Sequence, residues 1–220
     1  MQLGFFTMPI HPLGRDWRET LREDAIGFRV AERVGYAEAY CGEHVTDAAE
    51  NITSCMMFLA TLAGRTRQIR LGTGTINVPN THPAAIAGQA AMLDHLLDGR
   101  FILGVSPGGL LSDAEAFGSL GRDRPGMFLE GINMVLDIWA KDPPYGLEGQ
   151  FWKVTTEKTF WPEIGQGTGR NTSRAASAWG GRPIPRTGAW RSPSSSPRMT
   201  GSPRTTRPAR AAPTGSTTGR

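Results

Sequence analysis

The residue best suited to chemistry is a histidine directly after a short apolar segment. His44 follows the run Ala37–Cys41 and stands beside Glu43, so an imidazole that titrates near neutral pH has a carboxylate as its neighbour. Proton transfer in an enclosed site needs such a group. A surface-loop histidine held only by hydrogen bonds is the alternative. From the residues alone, His44 is the best catalytic candidate and the alternative stays open.

A second group of small and polar residues ends two later apolar segments. Gly74, Thr75 and Asn77 end one of them, and Ser106 ends the next. Glycines at 72 and 74 remove side chains within a predicted strand, which is typical of close approach by a ligand or of a bulge. Packing of the adjacent helix against these glycines is the alternative. The pattern is compatible with a ligand site at these strand ends, and both interpretations stay open at this point.

The remaining histidines and the cysteines do not indicate a metal. His11, His44, His82 and His95 have no clustered spacing, and two cysteines cannot form a four-cysteine zinc site. His82 precedes Pro83 at a predicted helix start, which favours a capping role. We predict no metal site.

The elements that position these residues alternate between strands and helices. Residues 1–7, 37–41, 69–76 and 101–105 are predicted as four strands. Helical spacing from 17 to 28, 86 to 97 and 128 to 139, and an apolar run from 54 to 63, predict four helices. Asp16 is a candidate N-cap and Gly35 a helix end. Residues 149–154 are typical of part of a hairpin.

Two architectures have this order of elements, because repeated strand–helix units give a parallel sheet. A doubly wound sheet wants a Gly-x-Gly-x-x-Gly turn after the first strand, and residues 8–12 offer none. We therefore predict an α/β fold that forms the first half of a (β/α)8 TIM-type barrel, with about four βα units. The functional face of such a barrel lies at the C-terminal ends of its strands.

Composition divides the chain at about residue 168. Residues 1–168 carry a net charge of −6, whereas residues 169–220 contain 10 arginines and no acidic residue. Six residue types (Arg, Ser, Thr, Pro, Gly and Ala) make up 47 of the last 52 residues, which predicts a disordered basic tail. A tail that binds nucleic acid is one interpretation. An out-of-frame reading of a GC-rich gene is the interpretation that we favour, which makes nucleic acid an unlikely partner.

Five segments resemble one enzyme family. They are residues 3–6, 39–44, 70–83, 93–101 and 104–109, and together they are similar to the luciferase-like flavin-dependent monooxygenases. Residues 104–118 resemble the limonene 1,2-monooxygenase type within that family. The resemblance covers residues 1–168.

The resemblance implies a function as well as a barrel. It implies that reduced FMN, supplied by a separate flavin reductase, reacts with O2 so that a small organic substrate is oxygenated. His44 matches the active-site histidine, and Glu43 the acid beside it. The Gly74–Thr75 peptide matches a strained peptide, a non-proline cis bond, that lies against the flavin ring. Asn77 and Ser106 fall in the same cofactor site.

Three features of this family assignment leave alternatives open. Ser106 stands where the luciferases have a reactive cysteine, and Pro107 where they have a phosphate-binding arginine. A deazaflavin-dependent dehydrogenase of the same superfamily is an alternative function. Strands five to eight have no counterpart after Gly169, so we expect the chain by itself to be inactive.

No membrane span or secretion signal is visible, which predicts a cytoplasmic protein.

Overall fold

The structure of the chain is a computed structural model that describes residues 2–169. The predicted basic tail, residues 169–220, lies outside these residues apart from Gly169. The strands are β1 Gly4–Thr7, β2 Glu38–Cys41, β3 Arg70–Thr73, β4 Ile76–Asn77, β5 Phe101–Ile102, β6 Val105–Ser106, β7 Gly146–Glu148 and β8 Lys153–Thr155. The helices are α1 Trp17–Arg33, α2 Cys55–Ala60, α3 Pro83–Leu96, α4 Leu111–Ala116 and α5 Arg124–Ala140, with three short 3-10 turns at Val78–Asn80, Glu157–Thr159 and Pro162–Ile164.

The main sheet has four parallel strands in the order β1-β2-β3-β5. β1 pairs in parallel with β2, β2 with β3 and β3 with β5, as in the first half of a barrel. The helices α1, α2 and α3 connect these strands, and the core between sheet and helices includes Phe28, Leu59, Leu71, Ile86 and Leu93. The predicted α/β half-barrel is confirmed. The C-terminal ends of these four strands therefore lie at the same edge of the sheet.

The third predicted strand, residues 69–76, is not continuous, so this prediction is wrong in detail. It divides into β3 and β4 at Gly74 and Thr75, whose peptide bond is cis. β3 pairs with β2 and β5, whereas β4 pairs in parallel with β6, with Asn77 opposite Ser106. The change of partner carries Asn77 and Ser106 to the C-terminal edge of the sheet as direct neighbours.

Local capping signals set the ends of the long helices. The Asp16 side chain accepts a hydrogen bond from the Arg18 amide at the start of α1, and Gly35 follows its end with φ of +89°. α3 begins at Pro83, and the His82 ring accepts a hydrogen bond from the Ala84 amide, so the predicted capping role of His82 is confirmed. None of the helices within residues 2–169 is long and apolar enough to cross a membrane.

The strands β7 and β8 form an antiparallel hairpin that docks on α5. The Glu130 carboxylate accepts hydrogen bonds from the backbone amides of residues 150–152, which form the turn. The indole of Trp152 donates to the Met127 carbonyl at 3.2 Å. The predicted hairpin segment is thus the turn and second strand of a docked hairpin.

Candidate active site

His44 is held by a carboxylate from a different loop. Its Nδ1 lies 2.9 Å from Oδ2 of Asp113, the third residue of α4. The Asp113 side chain is 3 % exposed and that of His44 is 17 % exposed. A carboxylate at Nδ1 fixes the tautomer, because the neutral ring then carries its proton on Nδ1. Nε2 is left as the nitrogen that can accept a proton.

Three donors from the loop after β2 hold the Asp113 carboxylate in place. Its Oδ1 accepts hydrogen bonds from the Thr46 hydroxyl at 2.7 Å, the Thr46 amide at 2.9 Å and the Val45 amide at 3.2 Å. Burial opposes ionisation of Asp113, but the hydrogen bonds from Thr46, His44 and Val45 outweigh burial and lower the pKa of this carboxyl. Asp113 is therefore ionised at neutral pH and accepts the hydrogen bond from Nδ1–H of His44.

The Glu43 carboxylate is engaged by the beginning of α2. Its Oε2 accepts hydrogen bonds from the Cys55 amide at 2.9 Å and the Cys55 thiol at 3.0 Å. Burial raises the pKa of Glu43; hydrogen bonds from Cys55 and from the Asn77 amide offset this only in part, and the charge on Asp113 adds to it. Glu43 thus links β2, α2 and β4, while its proposed contact with a cofactor stays a prediction.

Thr75, Asn77 and Ser106, which the sequence predicts at one site, lie together. The Thr75 hydroxyl donates to Ser106 Oγ at 2.7 Å, and the Ser106 hydroxyl donates to Asn77 Oδ1 at 2.9 Å. The Gly108 amide also donates to Ser106 Oγ, at 3.1 Å. These contacts join the ends of the third and fourth βα units into one polar cluster.

Gly72 and Gly74 make room for aromatic rings on neighbouring strands. A Cβ on Gly72 would lie 2.4 Å from the Tyr40 ring, and a Cβ on Gly74 would lie 2.8 Å from the Phe6 ring. The alternative that these glycines accommodate the third helix is therefore wrong. Gly74 lies at the predicted site, next to the hydroxyl of Thr75.

A cavity of about 180 Å³ opens at the same edge of the sheet. It is smaller than the roughly 300–1,000 Å³ that is usual for drug-sized ligands, so it suits a small molecule. Its lining has two acidic residues and no basic one. The lining residues are Glu43, Val45, Thr53, Ser54, Met56, Ile76, Asn77, Asn80, Thr81, Gln89, Asp113 and Phe117.

Arg124 brings a guanidinium group to the end of β6. Its Nη2 donates to the Pro107 carbonyl at 2.8 Å, and a Cβ on Gly108 would lie 2.5 Å from the same nitrogen. Nε of Arg124 is buried and has no hydrogen-bond partner among residues 2–169. A buried donor without a partner is costly, and an anion would satisfy it. Pro107 leaves the strand end without a cation, and Arg124 supplies one there from α5.

Sequence reasoning missed Asp113 and Arg124. Asp113 lies shortly after the glycine-rich turn that follows the fourth strand, on the same sheet edge as His44, and this position was the available signal. Arg124 begins α5 in a segment without a strand-end signal. Its place beside Pro107 depends on how α5 packs, which no local pattern indicates.

The fold and this edge of polar groups define a half-barrel with a histidine–carboxylate pair at its C-terminal strand ends. Residues 1–184 match the family model described as luciferase-like monooxygenase. The chain belongs to this family, as the sequence motifs predict.

Two curated relatives extend the comparison. The chain is 38 % identical over 144 residues to 4-hydroxyprotoasukamycin monooxygenase of Streptomyces nodosus subsp. asukaensis, a match that covers 66 % of this chain and 39 % of that protein. It is 36 % identical over 161 residues to limonene 1,2-monooxygenase of Rhodococcus erythropolis, a match that covers 73 % of this chain and 39 % of that protein. The matched segment spans about two fifths of each relative.

A solved structure supports the same fold. The oxygenating constituent of 3,6-diketocamphane monooxygenase from Pseudomonas putida, in complex with FMN, superposes with a TM-score of 0.73 at 24 % identity. The superposition covers 80 % of this chain and 49 % of that one. At this identity the likeness concerns the fold, a TIM-type barrel of which this chain has the first half.

Proposed function

We propose that this chain is the flavin-binding and proton-transferring part of a monooxygenase that uses reduced FMN and O2 to oxygenate a small organic substrate. The observation that carries the proposal is the His44–Asp113 pair beside a small cavity at the C-terminal edge of the sheet. Active sites of TIM-type barrels are built at this edge. Membership of the luciferase-like family supports the choice of reaction.

The residues present fit FMN in two respects. The Arg124 guanidinium, whose buried Nε has no partner among residues 2–169, suits the phosphate group. Asn77, which Ser106 and Thr75 hold in a hydrogen-bonded cluster, offers an uncharged polar group that suits the edge of a flat heteroaromatic ring. Bound reduced FMN would supply the electrons that activate O2, a task for which side chains have no counterpart.

The His44–Asp113 pair would supply the proton transfer. The Asp113 carboxylate holds Nδ1–H of His44, so Nε2 accepts a proton from the reacting group and returns it later. Because Asp113 is ionised and buried, it keeps the imidazole ring in one orientation. A separate reductase would supply the reduced flavin, which accords with the description of the camphane-oxidising neighbour as an oxygenating constituent.

Selective flavin binding by the full chain tests the proposal. Reduced FMN and reduced riboflavin, which differ by the phosphate, are titrated anaerobically and followed by their absorbance and fluorescence. Because charged hydrogen bonds contribute about 1.5–3 kcal/mol, we expect FMN to bind roughly 10–100 times more tightly than riboflavin. Arg124→Gln should remove the difference, whereas the exposed neighbour Arg122, changed to Gln, should preserve it.

Two results would contradict the proposal. The first is equal or absent binding of FMN and riboflavin by the wild-type chain. The second is tight binding of a reduced 5-deazaflavin without binding of FMN, which would favour the dehydrogenase alternative.

A further inference from the structure

Ser106 stands at the centre of a hydrogen-bond chain across two strand ends. Its Oγ accepts from the Thr75 hydroxyl at 2.7 Å and from the Gly108 amide at 3.1 Å. Its own proton is donated to Oδ1 of Asn77 at 2.9 Å. A hydroxyl has one donor and two acceptor positions, so all three positions of Ser106 are used.

This arrangement determines which way the Asn77 carboxamide faces. Because Oδ1 is the acceptor for Ser106, Nδ2 is left as the end that can donate elsewhere. Asn77 is 7 % exposed and lines the cavity. Gly108 packs closely on the same side chain, since a Cβ there would lie 3.2 Å from Asn77 Cγ. The carboxamide is therefore held by packing and by a hydrogen bond at once.

We propose that Ser106 is a positioning residue, which holds Asn77 so that its Nδ2 donates a hydrogen bond to an uncharged oxygen of the bound molecule. That oxygen is a carbonyl of the flavin ring or a carbonyl of the substrate. If the oxygen belongs to the flavin ring, the inference rests on the proposed function; if it belongs to the substrate, it does not.

The charges around the cavity decide the chemical class of this ligand. Glu43 and Asp113 line it, and no basic residue does. A carboxylate or phosphate in this cavity would lie beside an ionised Asp113 and would be repelled. A neutral carbonyl is not repelled, and it accepts the hydrogen bond that Nδ2 offers. Arg124, which we assign to a phosphate, is not among the cavity-lining residues.

The hydroxyl at position 106 is needed because it accepts hydrogen bonds from Thr75 and Gly108 and also donates one to Asn77. Alanine can do neither, and a thiol is a weak donor and a weak acceptor. Either substitution removes or weakens the hydrogen bond that determines which end of the Asn77 carboxamide is left to donate. Threonine keeps the hydroxyl, so Ser106→Thr is the matched variant that retains the proposed role.

Side-chain amide NMR of the full chain tests the proposal without requiring turnover. The side-chain amide signal of Asn77 is assigned as the one that is missing from the 15N spectrum of Asn77→Asp. Three probes of similar size are then titrated: cyclohexanone, methylenecyclohexane without the oxygen, and cyclohexanecarboxylate with a negative charge. A separate anaerobic titration uses reduced FMN, which distinguishes the flavin carbonyl from a substrate carbonyl as the source of the shift.

We expect cyclohexanone or reduced FMN to shift the Asn77 amide, and the carboxylate to leave it unchanged. Ser106→Ala and Ser106→Cys should broaden or shift the amide signal in the free protein and weaken binding of that ligand about fivefold to tenfold. Ser106→Thr should retain the wild-type amide signal. Thr155→Val, which removes an exposed hydroxyl on β8, should change neither the Asn77 amide signal nor the ligand affinity. Affinity for methylenecyclohexane should not depend on Ser106.

The proposal is overturned if Ser106→Ala changes neither the Asn77 amide nor ligand affinity, or if the carboxylate shifts the amide as strongly as the ketone. It is also overturned if neither cyclohexanone nor reduced FMN shifts the amide. If reduced FMN fails to bind but cyclohexanone shifts Asn77 in a Ser106-dependent way, the flavin proposal fails and the positioning role stands.

Discussion

Nδ1 of His44 and Oδ2 of Asp113 lie 2.9 Å apart, although 69 residues separate them in the chain. One residue follows β2 and the other lies in α4, so the contact joins the second and fourth βα loops. Because Thr46 and Val45 also donate to Asp113, this one carboxylate orients the imidazole and fixes the loop that carries it.

Removal of the Asp113 carboxylate should destabilise the loop as well as free the histidine. Asp113→Ala removes a buried carboxylate that accepts hydrogen bonds from the Val45 and Thr46 amides, and a hydrogen bond to a charged group contributes about 1.5–3 kcal/mol. We expect the free energy of unfolding in urea to fall by about that amount. Asp137→Ala, which removes an exposed partner of Lys141, should cost less than about 0.5 kcal/mol. Equal effects of the two changes would contradict this role of Asp113.

The pH dependence of stability should reveal the half-buried Glu43. Burial raises its pKa in the folded chain, so the folded state holds a proton that the unfolded chain loses at about pH 4.5. Glu43 therefore makes stability fall as pH rises from about 4.5 through the raised pKa. Glu43→Gln cannot titrate and should remove this decline, whereas the exposed Glu163, changed to Gln, should preserve it. Urea unfolding at a series of pH values measures the difference, and parallel profiles for wild type and Glu43→Gln would refute it.

The outer strands should promote association of the chain. Within the part of the chain that the structure describes, β1 and β5 each pair on one side only, and Phe6 of β1 is 60 % exposed. Unpaired strand edges pair with other chains. We expect light scattering to show mass that increases with concentration, and Phe6→Lys to reduce it more than Val34→Lys, which changes an exposed residue just after α1. A monomer at every concentration would count against this expectation.

Local signals made the long elements predictable. Asp16 caps the start of α1 with its side chain, and Gly35 follows the end of α1 with a backbone conformation that favours glycine. Pro83 begins α3. The strand ends placed His44, Thr75, Asn77 and Ser106 at one edge because parallel strands share their direction. These assignments depend on neighbours within a few residues, which a single sequence contains.

The missed features depend on contacts that are distant in the chain. The helix α4 is six residues long and has no side-chain cap, so neither hydrophobic periodicity nor a capping residue predicts it. Its residue Asp113 becomes a site residue only when the fourth βα loop packs on the second. The change of partner between β3 and β4 is likewise visible only in the structure, since the glycines at 72 and 74 indicate an irregular strand but not which strands pair.

The most direct test of the account observes His44 while reduced FMN binds. The chain has four histidines, so ring 15N and 13C spectra of histidine-labelled protein resolve His44 against His11, His82 and His95 as internal references. We predict that wild-type His44 has its proton on Nδ1, that anaerobic addition of reduced FMN shifts its ring signals, and that the other three change little. Asp113→Ala should abolish the fixed tautomer. Binding of reduced FMN that leaves the His44 signals unchanged would contradict the central claim that this histidine and the flavin share one site.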